Sequence, residues 1–268
     1  MKLLRRITVL SLALLLAASG ASAAKKKESK PVARAITTEV VQEVPETIQQ
    51  MLDLAYSEWQ ATDGQDLKEK NKFTKWRNNY PYGWCGGFIT WLMLEVDIPQ
   101  QVKSKTPKEE VPGLVHVKEA GVGKLYDGYA RMNRITRVPQ KGFIAVFGTS
   151  QKFKKSGATP YYHVGLVYDV EKLSNGKYRL TTIEGNVTSP GDETHSKVGH
   201  TVRMYVRDYT IPLTDDKKEK ESDLTLVPES ERTEQESALF SYHYTYENEY
   251  EYITIFLMPW IPEESAEE

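Results

Sequence analysis

The residue best suited to covalent chemistry in this chain is its single cysteine, Cys85. A thiol without a partner in the same chain is an inert buried group, half of an intermolecular disulfide, or a nucleophile. The segment PYGWCGGFITWLMLEVDIP predicts a turn at Pro81 and Gly83, followed by apolar residues at helical spacing. Cys85 is therefore expected in the first turn of a buried helix, where unpaired backbone N–H groups and the helix dipole stabilise a thiolate. Trp84 and Gly86, which flank the thiol, are the candidate substrate and oxyanion residues.

A cysteine nucleophile needs a base, and His163 is the best placed of the five histidines. It stands at the start of YHVGLVYDV, whose alternation predicts a strand, although a lone strand histidine is by default a packed residue. The next predicted strand, TIEGNV, carries Glu184 and Asn186 on one face, and either could hold an imidazole by a hydrogen bond. A two-residue turn at 175–176 would set His163 opposite Thr188 and diagonal to Asn186. This register favours Asn186 as the orienting residue, because contact with Glu184 would require a β-bulge or a strong curl.

The elements that must position these side chains divide into an N-terminal helical part and a later part made of strands. Apolar residues at spacings of three and four predict an amphipathic helix from Glu46 to Trp59. Short apolar runs rich in Val, Ile and Tyr predict antiparallel strands at 143–147, 163–170, 178–183, 201–209 and 252–258. The order predicts an α+β domain over 44–260, with N-terminal helices packed on an antiparallel sheet. A charged stretch at 213–238 predicts a solvated insertion in this domain.

Composition excludes several classes of protein. The chain has 268 residues, 40% of them hydrophobic, which is typical of one globular domain with appendages. One cysteine excludes a disulfide framework, a Cys-rich zinc module and an iron–sulfur protein. The net charge of -2 combines three basic residues at 1–24, a basic body with 28 basic and 21 acidic residues at 25–213, and an acidic part with 4 basic and 16 acidic residues at 214–268. Neither a motif nor a dense basic run predicts nucleic-acid binding.

The N-terminus predicts export from the cytoplasm. Basic residues precede an apolar run at 7–18, and Ala21-Ser22-Ala23 supplies the small residues of a cleavage site. We expect a signal peptide at 1–24, because the apolar run is shorter than the ~20 residues that span a bilayer. A linker at 25–43 and an acidic tail at 261–268 would flank the domain. The mature protein is then expected to be secreted or associated with the cell wall.

Five ordered segments carry a resemblance to a known family: NKFTKWRNNYPYGWCGGFITW, VPQKGFIAVF, YHVGLVYDV, TIEGNV and ITIFLMP. In this order they resemble the CHAP domain, the cysteine- and histidine-dependent amidohydrolase/peptidase family. The resemblance covers about 46–259 and implies a papain-like fold that cleaves amide bonds in bacterial peptidoglycan, as an amidase or an endopeptidase. It also implies that Cys85 is the nucleophile, His163 the base, Glu184 the residue that orients it, and Asn186 a further polar site residue. Where the family usually has Gly-Asp-Ile before the first strand, this chain has Gly-Phe-Ile at 142–144.

Two other functions compete with a wall hydrolase. One is a non-catalytic wall- or glycan-binding module in which Cys85 is merely buried and the tyrosines at 242–252 stack on sugars. Such alternation is more typical of ordinary sheet packing. The other is a secreted cysteine protease that acts on proteins. We expect no cofactor and no metal, since His195 and His200 are five residues apart and do not share a helical face.

Overall fold

The computed structural model describes residues 31–62, 65–78, 83–105, 109–148, 161–187, 201–211, 224–226 and 252–262. Four helices are present in this part of the chain: α1 (Glu46–Thr62), α2 (Lys72–Lys75), α3 (Cys85–Glu95) and α4 (Val122–Arg131). Nine strands accompany them: β1 (Gln100–Val102), β2 (Val115–Val117), β3 (Ile135–Thr136), β4 (Ile144–Gly148), β5 (Tyr161–Lys172), β6 (Tyr178–Val187), β7 (Thr201–Tyr209), β8 (Leu224–Leu226) and β9 (Tyr252–Leu257).

Seven of these strands form one antiparallel sheet in the order β3-β9-β4-β5-β6-β7-β8. The two short strands β1 and β2 pair in parallel as a separate ribbon. The predicted α+β class is confirmed, because helices from the first half of the chain pack on an antiparallel sheet from the second half. The predicted final strand is also present as β9, inserted between β3 and β4.

Helix α1 forms where the apolar spacing predicts it. Ile48, Met51, Leu52 and Ala55 are buried on one face, whereas the intervening positions are mostly exposed. Burying such a stripe supplies most of the stability of a helix in a folded domain, at roughly 25 cal/mol for each Å² of apolar surface. Helix α1 contacts β6, β7 and α3.

Helix α3 is apolar on nearly all sides and is the most deeply buried helix of the described chain. It packs closely on β5 and β6. One glycine allows its close approach to the sheet, and a second allows its close approach to the loop before α4. A Cβ on Gly185 of β6 would lie 2.7 Å from the Phe88 Cβ and 2.8 Å from the Trp84 Cζ3. A Cβ on Gly86 would lie 2.3 Å from the backbone oxygen of Ala120. These contacts fix the first turn of α3 between the sheet and the loop that precedes α4.

The hairpin between β5 and β6 differs from the predicted two-residue turn. Leu173 and Lys177 face each other around a three-residue loop, with the Leu173 N–H donating to the Lys177 carbonyl at 2.8 Å. The loop ends at Gly176, whose φ of +80° is the left-handed conformation that such loops require. A β-bulge between Val167 and Asp169 then shifts the register again, so that Leu166 pairs with Ile183.

These two shifts correct the predicted register by two residues. The register predicted from the sequence sets His163 opposite Thr188, which lies outside the described residues. The last backbone pair between the two strands is Leu166–Ile183, and the same register, extended toward the start of β5, would set Gly165 opposite Glu184 and His163 opposite Asn186. The bulge that contact with Glu184 requires is therefore present, and the diagonal neighbour of His163 is Glu184.

Several predictions on chain organisation fall partly or wholly outside the described residues. The signal peptide, the tyrosine row at 240–246 and both residues of the His195/His200 pair lie outside them, and the expected tail at 261–268 is described only at 261–262. Within the charged stretch at 213–238, the described residues form β8, which pairs with the end of β7. Within the described ranges, no helix has the length and apolar character needed to cross a membrane.

The described part of the expected linker, residues 31–43, lies along the sheet. The Arg34 N–H donates to the Ile135 carbonyl at 2.7 Å, and the Tyr178 hydroxyl donates to the Thr38 carbonyl at 2.7 Å. The side chain of Gln140 accepts from the Val41 N–H and donates to the Glu39 carbonyl. This segment has no helix or strand of its own but is held by hydrogen bonds to the strands and to the loop before β4.

The close packing of α3 on β6 predicts the effect of a single added methyl group. Gly185→Ala should lower the free energy of unfolding by about 1–3 kcal/mol, because the new Cβ would overlap Phe88 and Trp84. Urea unfolding followed by circular dichroism measures this change. Gly123→Ala in α4 is the matched control, since no atom of the described residues lies within 4 Å of its added Cβ and alanine favours a helix by roughly 0.5–1 kcal/mol. Equal stability of the two variants would contradict the packing described here.

Candidate active site

Cys85 begins helix α3, as the sequence predicts. Trp84 is the N-cap residue, and its carbonyl accepts the first hydrogen bond of the helix from the Phe88 N–H at 2.8 Å. The Trp84 side chain makes no capping hydrogen bond, so the N–H groups of the first turn are not used by a cap. Cys85 is buried, with 6% of the residue's surface exposed. The thiol thus lies at the positive end of a buried helix.

His163 lies on β5, two residues before the point at which Gly165 comes opposite Glu184. Its ring is buried and its backbone pairs with Phe147 of β4. The His163 Nε2 is 3.0 Å from the Glu184 Oε2. Because Nε2 is engaged in that contact, Nδ1 is the ring nitrogen that remains for the hydrogen bond between His163 and the Cys85 thiol.

Glu184 is fully buried, and both of its carboxylate oxygens accept hydrogen bonds. Oε2 faces His163, while Oε1 accepts from the Thr182 hydroxyl at 2.6 Å and from the Arg207 Nη1 at 2.6 Å. The absence of a side chain at Gly165 creates the space that this carboxylate occupies, since a Cβ there would lie 2.6 Å from the Glu184 Cγ. The sheet therefore holds the carboxylate from three strands at once: β5, β6 and β7.

The electrostatics of these side chains favour the charged form of each. Burial opposes ionisation of Cys85, but the hydrogen bond and charge of His163, together with the backbone N–H groups of Gly86 and Val164, lower the pKa of the thiol. Burial likewise opposes protonation of His163, yet Cys85 and Glu184 raise its pKa to about 9. Burial of Glu184 is outweighed by Arg207, His163 and Thr182, which lower its pKa to about 2. The directions of the two pKa shifts therefore both favour the thiolate–imidazolium form of the pair over the neutral one.

The structure brings three of the predicted residues into one hydrogen-bonded line, Cys85–His163–Glu184. The preference for Asn186 as the residue that orients His163 is wrong, because Glu184 makes that contact. Asn186 lies beside the site instead. Its backbone is left-handed, with φ +65°, and its Nδ2 is 3.1 Å from the position that a Gly83 Cβ would take. Its buried Oδ1 has no hydrogen-bond partner among the residues that the structure describes.

The two residues that flank the thiol play different parts. Gly86 contributes its backbone N–H to the Cys85 sulfur, and its role as an oxyanion donor stays a prediction. The Trp84 ring is fully buried and stacks on Phe73, with ring centroids 5.3 Å apart. We therefore assign Trp84 a packing role, in place of the substrate contact that the sequence suggested.

Three site residues were missed from the sequence: Gly165, Thr182 and Arg207. Thr182 shares strand parity with Glu184, which is the signal that could have found it. Arg207 is a charged residue in TVRMYVRDY, a run that is otherwise apolar at most positions. An arginine in such a strand indicates a buried partner, because an unpaired guanidinium is costly to bury. The partner itself is set by the register of β6 and β7, which no local pattern supplies.

This arrangement has the parts of a cysteine nucleophile activated by histidine. A thiolate attacks electrophilic carbonyls, an adjacent imidazolium can protonate a leaving group, and a carboxylate on the far ring nitrogen fixes the ring's orientation. The described residues contain no group of three or more His, Cys, Asp or Glu side chains placed to bind a metal ion.

The lowered pKa of Cys85 and the raised pKa of His163 predict the pH dependence of thiol reactivity. The thiolate forms as the pH rises through the lowered Cys85 pKa, and the imidazolium persists up to about pH 9. Alkylation of Cys85 by iodoacetamide should therefore reach half of its plateau rate at a pH below the ordinary thiol pKa of about 8.5. Mass spectrometry of the Cys85 peptide against time measures the rate at each pH.

Two histidine variants test the assignment. His163→Asn should move the alkylation midpoint to the ordinary thiol value or above, because the cationic partner is lost. His116→Asn is the matched control, since His116 is also buried but its Nδ1 contacts the Ile98 carbonyl, away from the thiol. A wild-type midpoint at or above about 8.5 would refute the ion pair.

The contact between Gly165 and Glu184 yields a separate prediction. Gly165→Ala should displace the carboxylate and reduce Cys85 alkylation at pH 6 by roughly tenfold or more, since one pKa unit is a factor of ten in ionisation. The alkylation rate at pH 10, where any exposed thiol is ionised, serves as the internal control for access. Unchanged reactivity at pH 6 in a folded variant would show that the position of Glu184 does not govern Cys85.

Comparison with known proteins leaves the site to be judged on its own geometry. No family model matches the chain, and neither the curated proteins nor the solved structures contain a match. Membership of the CHAP family therefore stays a prediction that rests on five ordered sequence segments.

Proposed function

We propose that this protein is an exported cysteine hydrolase that cleaves amide bonds in bacterial peptidoglycan, as an amidase or an endopeptidase of the CHAP type with a papain-like fold. The observation that carries the proposal is the hydrogen-bonded line from the Cys85 thiol through His163 to Glu184. A thiol that serves only to pack in the core does not require a neighbouring imidazole whose second nitrogen is fixed by a fully buried carboxylate. The expense of burying these charged groups argues for a chemical role.

The proposed reaction begins with attack of the Cys85 thiolate on the carbonyl carbon of an amide. The new C–S bond forms as the carbonyl π electrons move to oxygen, and in this proposal the N–H of Gly86 donates to that oxyanion. Collapse of the intermediate breaks the C–N bond, and His163 gives its proton to the departing amine. The products of this half-reaction are a free amine and a thioester on Cys85.

Hydrolysis of the thioester returns the enzyme to its starting state. Neutral His163 takes a proton from water, and the resulting hydroxide attacks the thioester carbonyl. The C–S bond breaks, the carboxylic acid leaves, and Cys85 is again a thiolate beside protonated His163. Positioned acid–base catalysis of this kind accelerates a step by about 10²- to 10⁴-fold, and each oxyanion donor by about 10²- to 10³-fold.

Three observations lead us to propose peptidoglycan as the substrate. The five ordered segments resemble a family that commonly acts on the wall, and the N-terminal pattern predicts export to the compartment where the wall lies. The excess of basic residues over 25–213 would also favour adsorption to an anionic wall. A secreted protease that acts on proteins would use the same chemistry, so the substrate must be decided by experiment.

Digestion of purified peptidoglycan tests the proposal. Wild-type protein should release fragments whose new amine and carboxyl ends, identified by mass spectrometry, show which amide bond is cleaved. Cys85→Ala should abolish release of fragments. The circular dichroism spectrum and thermal midpoint should be retained, because the cysteine side chain is small and its replacement by alanine removes little packing at the start of α3. Activity should fall above about pH 9, as His163 loses the proton that the leaving amine requires.

The controls separate the competing functions. His116→Asn should retain activity, whereas His163→Asn should not. Cleavage of an unfolded protein such as casein without attack on peptidoglycan would indicate the secreted protease instead. Binding to peptidoglycan with no Cys85-dependent cleavage of either substrate would indicate a non-catalytic binding module and remove the mechanism.

A further inference from the structure

Arg207 is a buried charged residue that the reaction described above does not use. Its Nη1 donates to the Glu184 Oε1 at 2.6 Å and lies 2.9 Å from the Thr182 Oγ1. The guanidinium also stacks over two aromatic rings, 4.5 Å from the centroid of Tyr205 and 5.1 Å from that of Phe147. Hydrogen bonds and ring contacts from three strands thus hold one arginine against the carboxylate that orients His163.

The geometry divides the two oxygens of Glu184 between two cations. Oε1 is held by Arg207 and Thr182, so Oε2 is the oxygen that remains for the His163 Nε2. A carboxylate held at one oxygen has little freedom to rotate, and its second oxygen is then fixed in direction. The orientation of the His163 ring therefore depends on a contact made on the opposite side of Glu184.

The same contacts produce a line of alternating charge. Cys85 as thiolate, His163 as imidazolium, Glu184 as carboxylate and Arg207 as guanidinium alternate in charge along this line, so that each anion lies beside a cation within a buried site. Without Arg207, the imidazolium of His163 would be the one cation of the line and would have to balance both the carboxylate and the thiolate. Two buried anions that share one cation are more costly than two that have one each, so loss of the thiol proton would be less favourable.

We propose that Arg207 is a positioning residue for the Cys85 nucleophile: it orients Glu184 toward His163 and supplies the charge that allows a thiolate in a buried site. The inference deepens the proposed function and rests on Cys85 acting as the nucleophile, independently of which amide is the substrate. In this scheme the effect of Arg207 passes through Glu184, whose carboxylate it contacts.

Other charged or titratable groups face this line and must be considered in any test of its pH dependence. The register places Arg203 opposite Glu184, and Arg203 is buried as well. The Glu184 carboxylate contacts Thr182, His163 and Arg207. The groups around the line, by element, are Cys85 from α3, the aromatic ring of Phe147 from β4, His163 from β5, Glu184 from β6, and Arg203, Tyr205 and Arg207 from β7.

The test is the pH profile of Cys85 alkylation by iodoacetamide in the full-length protein. Arg207→Met keeps an apolar side chain against Phe147 and Tyr205 but removes the charge. It should raise the alkylation midpoint by about one pH unit or more, which is roughly tenfold less thiolate at pH 6. Arg207→Lys keeps the charge and should retain a midpoint close to that of the wild type, with less exact orientation of Glu184. A role in packing alone would not produce this difference between Met and Lys.

A double-mutant cycle shows whether Arg207 acts through Glu184. In a Glu184→Gln background, Arg207→Met should shift the midpoint much less than it does in the wild type, because the carboxylate that it balances is absent. Arg179→Met is the matched control. Arg179 on β6 contacts the Asp208 carboxylate on β7 at 3.0 Å. This arginine–carboxylate pair joins the same two strands but is not part of the line from Cys85 to Arg207. Its loss should leave the midpoint unchanged.

Each result decides the question. An unchanged midpoint in folded Arg207→Met, or equal shifts in the two backgrounds, would overturn the proposal. If Arg207→Met does not fold by circular dichroism, Arg207→Gln replaces it, since glutamine is neutral but can still donate to Glu184. Failure of both neutral variants to fold would also overturn it, because Arg207 would then be required for the fold.

The same experiment distinguishes this inference from the proposed function. Slow alkylation of wild-type Cys85 with an ordinary thiol midpoint would defeat the proposed function itself. Fast alkylation of the wild type with no effect of Arg207→Met would defeat the present inference alone.

Discussion

A fully buried carboxylate fixes the ring of His163, and the chemistry of Cys85 depends on that hydrogen bond. The bond from Nε2 to Glu184 at 3.0 Å leaves Nδ1 for the thiol and makes the protonated ring the favoured form. Water does not reach either partner, so their interaction is screened much less than a surface ion pair. If Glu184 were displaced, the imidazolium would lose its counter-ion and the thiol would lose its cation.

Burial strengthens the interactions between these charged groups and also requires each of them to have a partner. Each charged group would be costly to bury alone, and the cost falls only when neighbours of opposite sign and hydrogen-bond donors surround it. The sheet meets that demand by presenting Thr182 and Glu184 from one strand and Arg207 from the next, so that rigid strands rather than loops carry the contacts. The helix contributes the thiol and the backbone N–H groups of its first turn.

Steric constraints place the two halves of the site together. Gly86 lets the start of α3 touch the Ala120 backbone, Gly185 lets α3 lie directly on β6, and Gly165 leaves room for the Glu184 side chain. A side chain at any of these three positions would force a shift at the point where the chemistry requires contact. The glycines matter here for the space that they leave rather than for backbone freedom.

The sequence by itself determined the α+β class, helix α1, the position of Cys85 at a helix start and the parity of His163 with Glu184, because each follows from local periodicity and turn residues. The tertiary structure decided which residue orients His163. A three-residue loop ending at Gly176 and a bulge after Val167 together move the register by two, and such shifts depend on packing across strands. The partnership of Arg207 with Glu184 was likewise settled by strand pairing between residues far apart in the chain.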